Sequence, residues 1–208
     1  MGSWQTERSE ASRLGPLAGA QGDASPRVMI IGIGSPLRGD DAVGPAVVER
    51  LQAEGGLPPE VQVMDAGLCG VDLVWLVQQA PHTVLVDAAD FGGEPGELRL
   101  FRWEELRTRA QRPFRGGHGV DVLQALGLAE ALGERPEVLL VGIQVASTQL
   151  GAELSGALAR NLAAYAETVR NQALRLTRLP ESAGPPAGGA ERRHAEKECE
   201  PDGQDPGR

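Results

Sequence analysis

Aromatic residues make up only 3% of this 208-residue chain, so its core has to be built from Leu, Val, Ile and Ala. Cysteine is nearly absent. Cys69 and Cys199 stand far apart and in no CxxC pair, which excludes a disulfide framework and a thiolate metal site. Basic charge is in deficit: 20 Lys and Arg against 29 Asp and Glu leave a formal net charge of −9. That balance lacks the basic footprint of a nucleic-acid binder. Long apolar runs are missing too, since no stretch reaches the roughly eighteen consecutive apolar residues of a membrane span. The segment MGSWQTERSEASRLG has no apolar run suited to a signal peptide. A cytoplasmic protein with no membrane or nucleic-acid partner is expected.

What remains, 41% hydrophobic residues and 28 glycines, suits a soluble chain with one core. Residues 1–26 and 180–208 are rich in Gly, Ala, Ser, Pro and charge without a sustained apolar period. Such composition cannot bury enough surface to offset the entropy of ordering, so both are expected to be disordered extensions of one domain over 27–179.

Within that domain the pattern alternates. Residues 27–33 (RVMIIGI) form a nearly continuous apolar run, as expected of a strand buried on both faces. Residues 41–53 follow with helical spacing, lining up Val43, Val47 and Leu51. Further strands are expected at 61–64, 83–86 and 138–145, and a half-exposed edge strand at 96–102. Helices are expected at 71–77, 120–132 and 154–176. Strands alternating with helices predict an open, largely parallel α/β sheet covered on both faces. In such sheets ligands collect beyond the carboxyl ends of the strands, and the loops there are the places to search.

Those loops are unusually acidic. The first strand runs into Gly32-Ile33-Gly34-Ser35-Pro36-Leu37-Arg38-Gly39-Asp40-Asp41, the second into Asp65-Ala66-Gly67, the third into Asp87-Ala88-Ala89-Asp90. Clustered carboxylates repel one another and usually pair with a cation, for which the nearby base is Arg38 and the alternative is a metal ion. A dinucleotide site is disfavoured. The third glycine of the fingerprint should stand at position 37, which is Leu37, and two aspartates occupy the place of a pyrophosphate. Simple N-capping of the following helix by Asp40 or Asp41 explains the same residues without any ligand.

Of the three histidines, His194 lies in the C-terminal extension and His82 enters the third strand at the wrong end. His118 follows two glycines and opens a helix; it is either an ordinary surface residue or the one imidazole available beside Asp41 and Asp87. Two carboxylates and an imidazole suit a divalent transition ion with open positions. Nucleophilic catalysis has little support, because Ser35 and Ser155 lack the Gly-x-Ser-x-Gly elbow and HExxH is absent. Cys69 could serve as a thiol nucleophile with His118, although a free cysteine is more commonly a small packing residue.

In sequence order, GIGSPLRGDDAVGPAVVERL, VMDAGLCGVDLVWLV, TVLVDAADFGGEPGELRLF, HGVDVLQAL and VLLVGIQ resemble the motifs of the hydrogenase maturation proteases. These endopeptidases trim the C-terminal extension from the large subunit of nickel–iron hydrogenases. The resemblance covers about residues 27–176. It implies a three-layer α/β sandwich with a twisted, mostly parallel five-stranded sheet, and a metal-recognising trio of Asp41, Asp87 and His118. It further implies that the trio binds nickel already inserted in the large-subunit precursor, with no intrinsic organic cofactor and a monomer as the default. Asp40, Asp65 and Asp90 would orient ligands or loop backbone. A non-catalytic nickel-binding assembly factor would carry the same trio. Ser35, Ala42 and Leu68 stand where the family more often has Asn, Gly and Thr, and Asp41 where it often has Glu, which bears on substrate subtype.

Overall fold

The computed structural model describes residues 25–108, 119–133 and 137–179. Both expected extensions lie outside the described residues, apart from residues 25 and 26. Five strands, β1 (Val28–Ile33), β2 (Val61–Gly67), β3 (His82–Ala89), β4 (Leu98–Arg102) and β5 (Glu137–Gln144), form one sheet in the order β2-β1-β3-β5-β4. All pairings are parallel except that of β4 with β5. The helices are α1 (Val43–Glu54), α2 (Leu73–Leu76), α3 (Trp103–Thr108), α4 (Gly119–Ala131) and α5 (Gly156–Leu176). The mostly parallel, doubly covered sheet expected from the alternation is what the chain forms. Among the described residues no helix is long and apolar enough to cross a membrane.

Burial explains the strand sequences. Every residue of β1 and of β3 is buried, because both strands lie inside the sheet with helices on either face. Side chains alternate between two cores. Met29, Ile31 and Leu85 pack with Leu73, Leu126 and Trp103 on the side of α2, α3 and α4. Val28, Ile30, Val84 and Val86 pack with Val47, Leu51 and Val169 on the side of α1 and α5. β4 sits on the edge with only Phe101 fully buried, as its polar–apolar alternation indicated. The helix α3 was not foreseen, because WEELRT is short and charged; its place is fixed by Trp103 and Leu106 inserting into the core.

The chain leaves β1 to one side to build β2, then returns to the other side of β1 to build β3. This reversal opens a crevice at the carboxyl ends of β1 and β3, where ligands of such sheets bind. Glycine makes the corner tight. A Cβ on Gly32 would lie 2.6 Å from the Gly44 carbonyl oxygen and 2.8 Å from Val48 Cγ2. A Cβ on Gly44 would strike the Ile33 carbonyl oxygen and lie 2.6 Å from that of Val86. The start of α1 therefore rests directly on the strand backbones. Gly44→Ala is expected to lower stability by about 3 kcal/mol through overpacking against rigid backbone. Gly127→Ala in α4, where a methyl group meets nothing, should be neutral or stabilising by up to about 1 kcal/mol. Urea denaturation of the two variants checks the contrast.

Candidate active site

The loop after β1 folds back on itself at Gly34, whose φ of 136° suits only glycine and whose Cβ would strike the Asp41 carbonyl oxygen. A 3-10 turn over Gly39–Ala42 then leads into α1. Neither Asp40 nor Asp41 caps a helix with its side chain, so capping does not account for the acidic pair.

The two neighbours do different work. Asp40 is fully buried and fully satisfied. Its Oδ2 accepts hydrogen bonds from the backbone N–H groups of Ala146 (2.7 Å) and Ser147 (3.0 Å), and its Oδ1 from that of Ser155 (2.7 Å). It thereby fastens the β1 loop to the loop between β5 and α5 and sits at the positive end of α5. Asp41 is also buried, and its Oδ2 accepts a hydrogen bond from the Ser35 N–H at 2.9 Å.

Asp87 occupies the end of β3, across the crevice. It is buried, yet neither carboxylate oxygen has a hydrogen-bond partner among the described residues. Burial raises its pKa most and the nearby charge of Asp41 adds to this, so that the carboxyl is pushed up to about 8. The Ala88 N–H acts weakly in the other direction without making a hydrogen bond. A carboxyl so placed resists ionising.

The remaining acids hold loops. Asp65 is exposed and its Oδ1 accepts from the Gly67 N–H at 2.9 Å. Asp90 accepts from the Gly92 N–H and from Gln144 Nε2, at 3.2 and 3.1 Å. Gln144 was not singled out in the sequence beyond its place in VLLVGIQ. Buried at the end of β5, it also accepts from the N–H groups of Phe91 and Gly93 and so sets the loop after β3. A buried amide among apolar strand residues was the available signal.

His118 lies outside the described residues; the helix it was expected to open begins at Gly119. Among the described residues no group of three or more His, Cys, Asp or Glu side chains could hold a metal ion. His82 starts β3 at the far end of the sheet, buried, with Nδ1 2.8 Å from Glu137 Oε2. Cys69 is half-buried, and burial, with the charges of Asp87 and Asp72 adding, pushes its thiol up to about 11. It stays protonated at neutral pH, which argues against a nucleophilic role. A cleft of about 720 Å³ lined by Arg102, Glu137, Arg175 and Leu179 also lies at that far end and includes none of the candidate residues.

A family model described as hydrogenase maturation protease matches residues 45–172, more than half of the chain. The hydrogenase expression/formation protein HupM of Azotobacter chroococcum mcd 1 is 36% identical over 154 residues, covering 69% of this chain and 74% of its own. The chain belongs to the hydrogenase maturation protease family. It is accordingly a peptidase of hydrogenase maturation. The crystal structure of a [NiFe] hydrogenase maturation protease, HycI from Thermococcus kodakarensis KOD1, is similar at 29% identity and a TM-score of 0.56, covering 72% of this chain and 93% of that one. The hydrogenase maturating endopeptidase HybD from E. coli shares the fold at 24% identity and a TM-score of 0.62, covering 73% and 93%. The span matched by the family model includes Asp87 and His118 and begins just after the loop that presents Asp41.

The buried carboxyl gives this protease a pH signature. A group whose folded-state pKa exceeds its unfolded value near 4 favours folding fully below that value, and the contribution is lost as pH rises through about 8. Asp87→Asn is therefore expected to match the parent near pH 4 and to be the more stable of the two near pH 9. Parallel melting curves across that range would contradict the assignment.

Proposed function

We propose that this protease removes the C-terminal extension of the nickel–iron hydrogenase large-subunit precursor after nickel insertion, recognising the nickel that the precursor carries. One observation supports the reading above the others: Asp87 is buried, unpartnered and electrostatically coupled to Asp41 at the point where the strand order reverses. Nothing structural is gained by that placement, whereas a divalent cation would offset the desolvation and the mutual repulsion together.

In this reading Asp41 and Asp87 supply oxygen ligands and His118 a nitrogen ligand, a donor set suited to a divalent transition ion with open positions. Alternation along β3 puts the Asp87 side chain on the face covered by α2 and α4, and α4 begins one residue after His118. The ion enters with the substrate. It lowers the barrier by polarising the scissile carbonyl or by activating a water. Water adds its oxygen to the carbonyl carbon, the C–N bond breaks, and the departing amine takes a proton. Asp40 keeps the Asp41 loop in place through its three backbone contacts, and Asp65 and Asp90 shape the flanking loops.

Asp41→Asn, Asp87→Asn and His118→Ala are each expected to slow trimming of nickel-loaded precursor by about 100-fold or more while the protein stays folded. Intact-mass analysis of the precursor over time measures this. Unimpaired trimming by any one of the three removes that residue from the site.

A further inference from the structure

An apolar surface adjoins the candidate site and takes no part in it. After β2 the chain makes a 3-10 turn over Gly70–Asp72 and runs directly into α2. Leu73, Val74 and Val77 turn inward to the core, while Leu68, Val71 and Trp75 stay outside at 58%, 71% and 65% exposure. Val71 and Trp75, four residues apart, lie on one side of the helical turn, and Leu68 lies in the bend just before it. The chain has three tryptophans in all, and leaving one largely in water beside two further apolar side chains is the mark of a contact surface rather than of scattered exposure.

Two observations say what covers it. The patch adjoins the loop that presents Asp41, because the Gly34 N–H donates to the carbonyl of Gly67, the residue before Leu68, at 3.0 Å. The stretch of chain that carries the patch also bears charge of one sign. No Lys or Arg occurs between Arg50 and Arg99, while the exposed Asp65 and Asp72 flank the patch. Acidic side chains beside an apolar centre attract cationic segments and repel acidic ones.

We infer that Leu68, Val71 and Trp75 form the docking surface for an apolar segment of the large-subunit precursor that carries basic side chains. The inference rests on the proposed function and adds where the substrate is gripped. A scissile bond that must reach recessed carboxylates needs binding contacts away from the reacting atoms to hold it there.

Steady-state trimming of nickel-loaded precursor by the full chain separates docking from chemistry. Trp75→Ala is expected to raise KM by about 10-fold or more with kcat within about twofold, as for a central aromatic anchor. Val71→Ser should act in the same direction, Trp75→Phe should retain most of the affinity, and Asp72→Lys should raise KM and weaken its salt dependence. Melting temperatures close to the parent are expected for these exposed positions. If the parent trims and both Trp75→Ala and Val71→Ser keep its KM, the docking surface is overturned and the proposed function stands. Loss of kcat at unchanged KM overturns it equally. If the parent neither binds nor trims the precursor, both readings fall together. Sedimentation of the free protein adds one more outcome: a dimer that Trp75→Ala dissolves assigns the patch to a second copy and overturns the inference.

Discussion

A carboxyl group buried at the end of β3 with no hydrogen bond to it is the constraint on which the site depends. Leaving a buried polar group unpaired costs on the order of 1–3 kcal/mol, more if it is charged. The same crevice shows that this fold can satisfy a buried carboxylate when structure requires it. Asp40, one residue from Asp41, collects three backbone N–H groups. Asp87 collects none. The contrast separates an acid that ties two loops together from one that is buried without a hydrogen bond.

The scaffold delivers that arrangement by close backbone contact. β1 and β3 are neighbours in the sheet, so the loop leaving β1 and the carboxyl end of β3 face each other. Gly32 and Gly44 let α1 start against the strands, and Gly34 lets the loop double back so that the Ser35 N–H meets Asp41. Any side chain at these glycines would lift the loop away from Asp87. Gln144 performs the matching task on the far side by fixing the loop after β3.

Much of this was legible in the residues. Continuous apolar runs announced β1, β3 and β5, alternation announced the edge strand, and their interleaving with helices announced the parallel sheet. The acids after β1, β2 and β3 stood out because strand ends in such sheets are where ligands gather, and the family resemblance implied Asp41 and Asp87 among them. The sequence order alone does not reveal that β1 lies between β2 and β3, which is the fact that brings the two acids together. Nor did it separate the roles of Asp40 and Asp41, since adjacent aspartates look alike until their partners are known. Helix α3 stayed hidden because its position is dictated by Trp103 seeking a core rather than by local periodicity. The exposed side of α2 is not legible in the residues, because VDLVWLV is apolar apart from Asp72 and only burial tells which residues face out.

In the proposed function, a site completed by an ion that the substrate brings would couple two events that would otherwise be independent, insertion of the metal and cleavage of the chain. Asp41 and Asp87 would then be ligands of that ion, and the acidic pair would be relieved only when a loaded precursor is in place. The most direct measurement is intact-mass analysis of matched nickel-loaded and nickel-free precursor incubated with the protein. Release of the C-terminal peptide from the loaded form alone is the expected result, and equal release from both forms would contradict recognition through the metal.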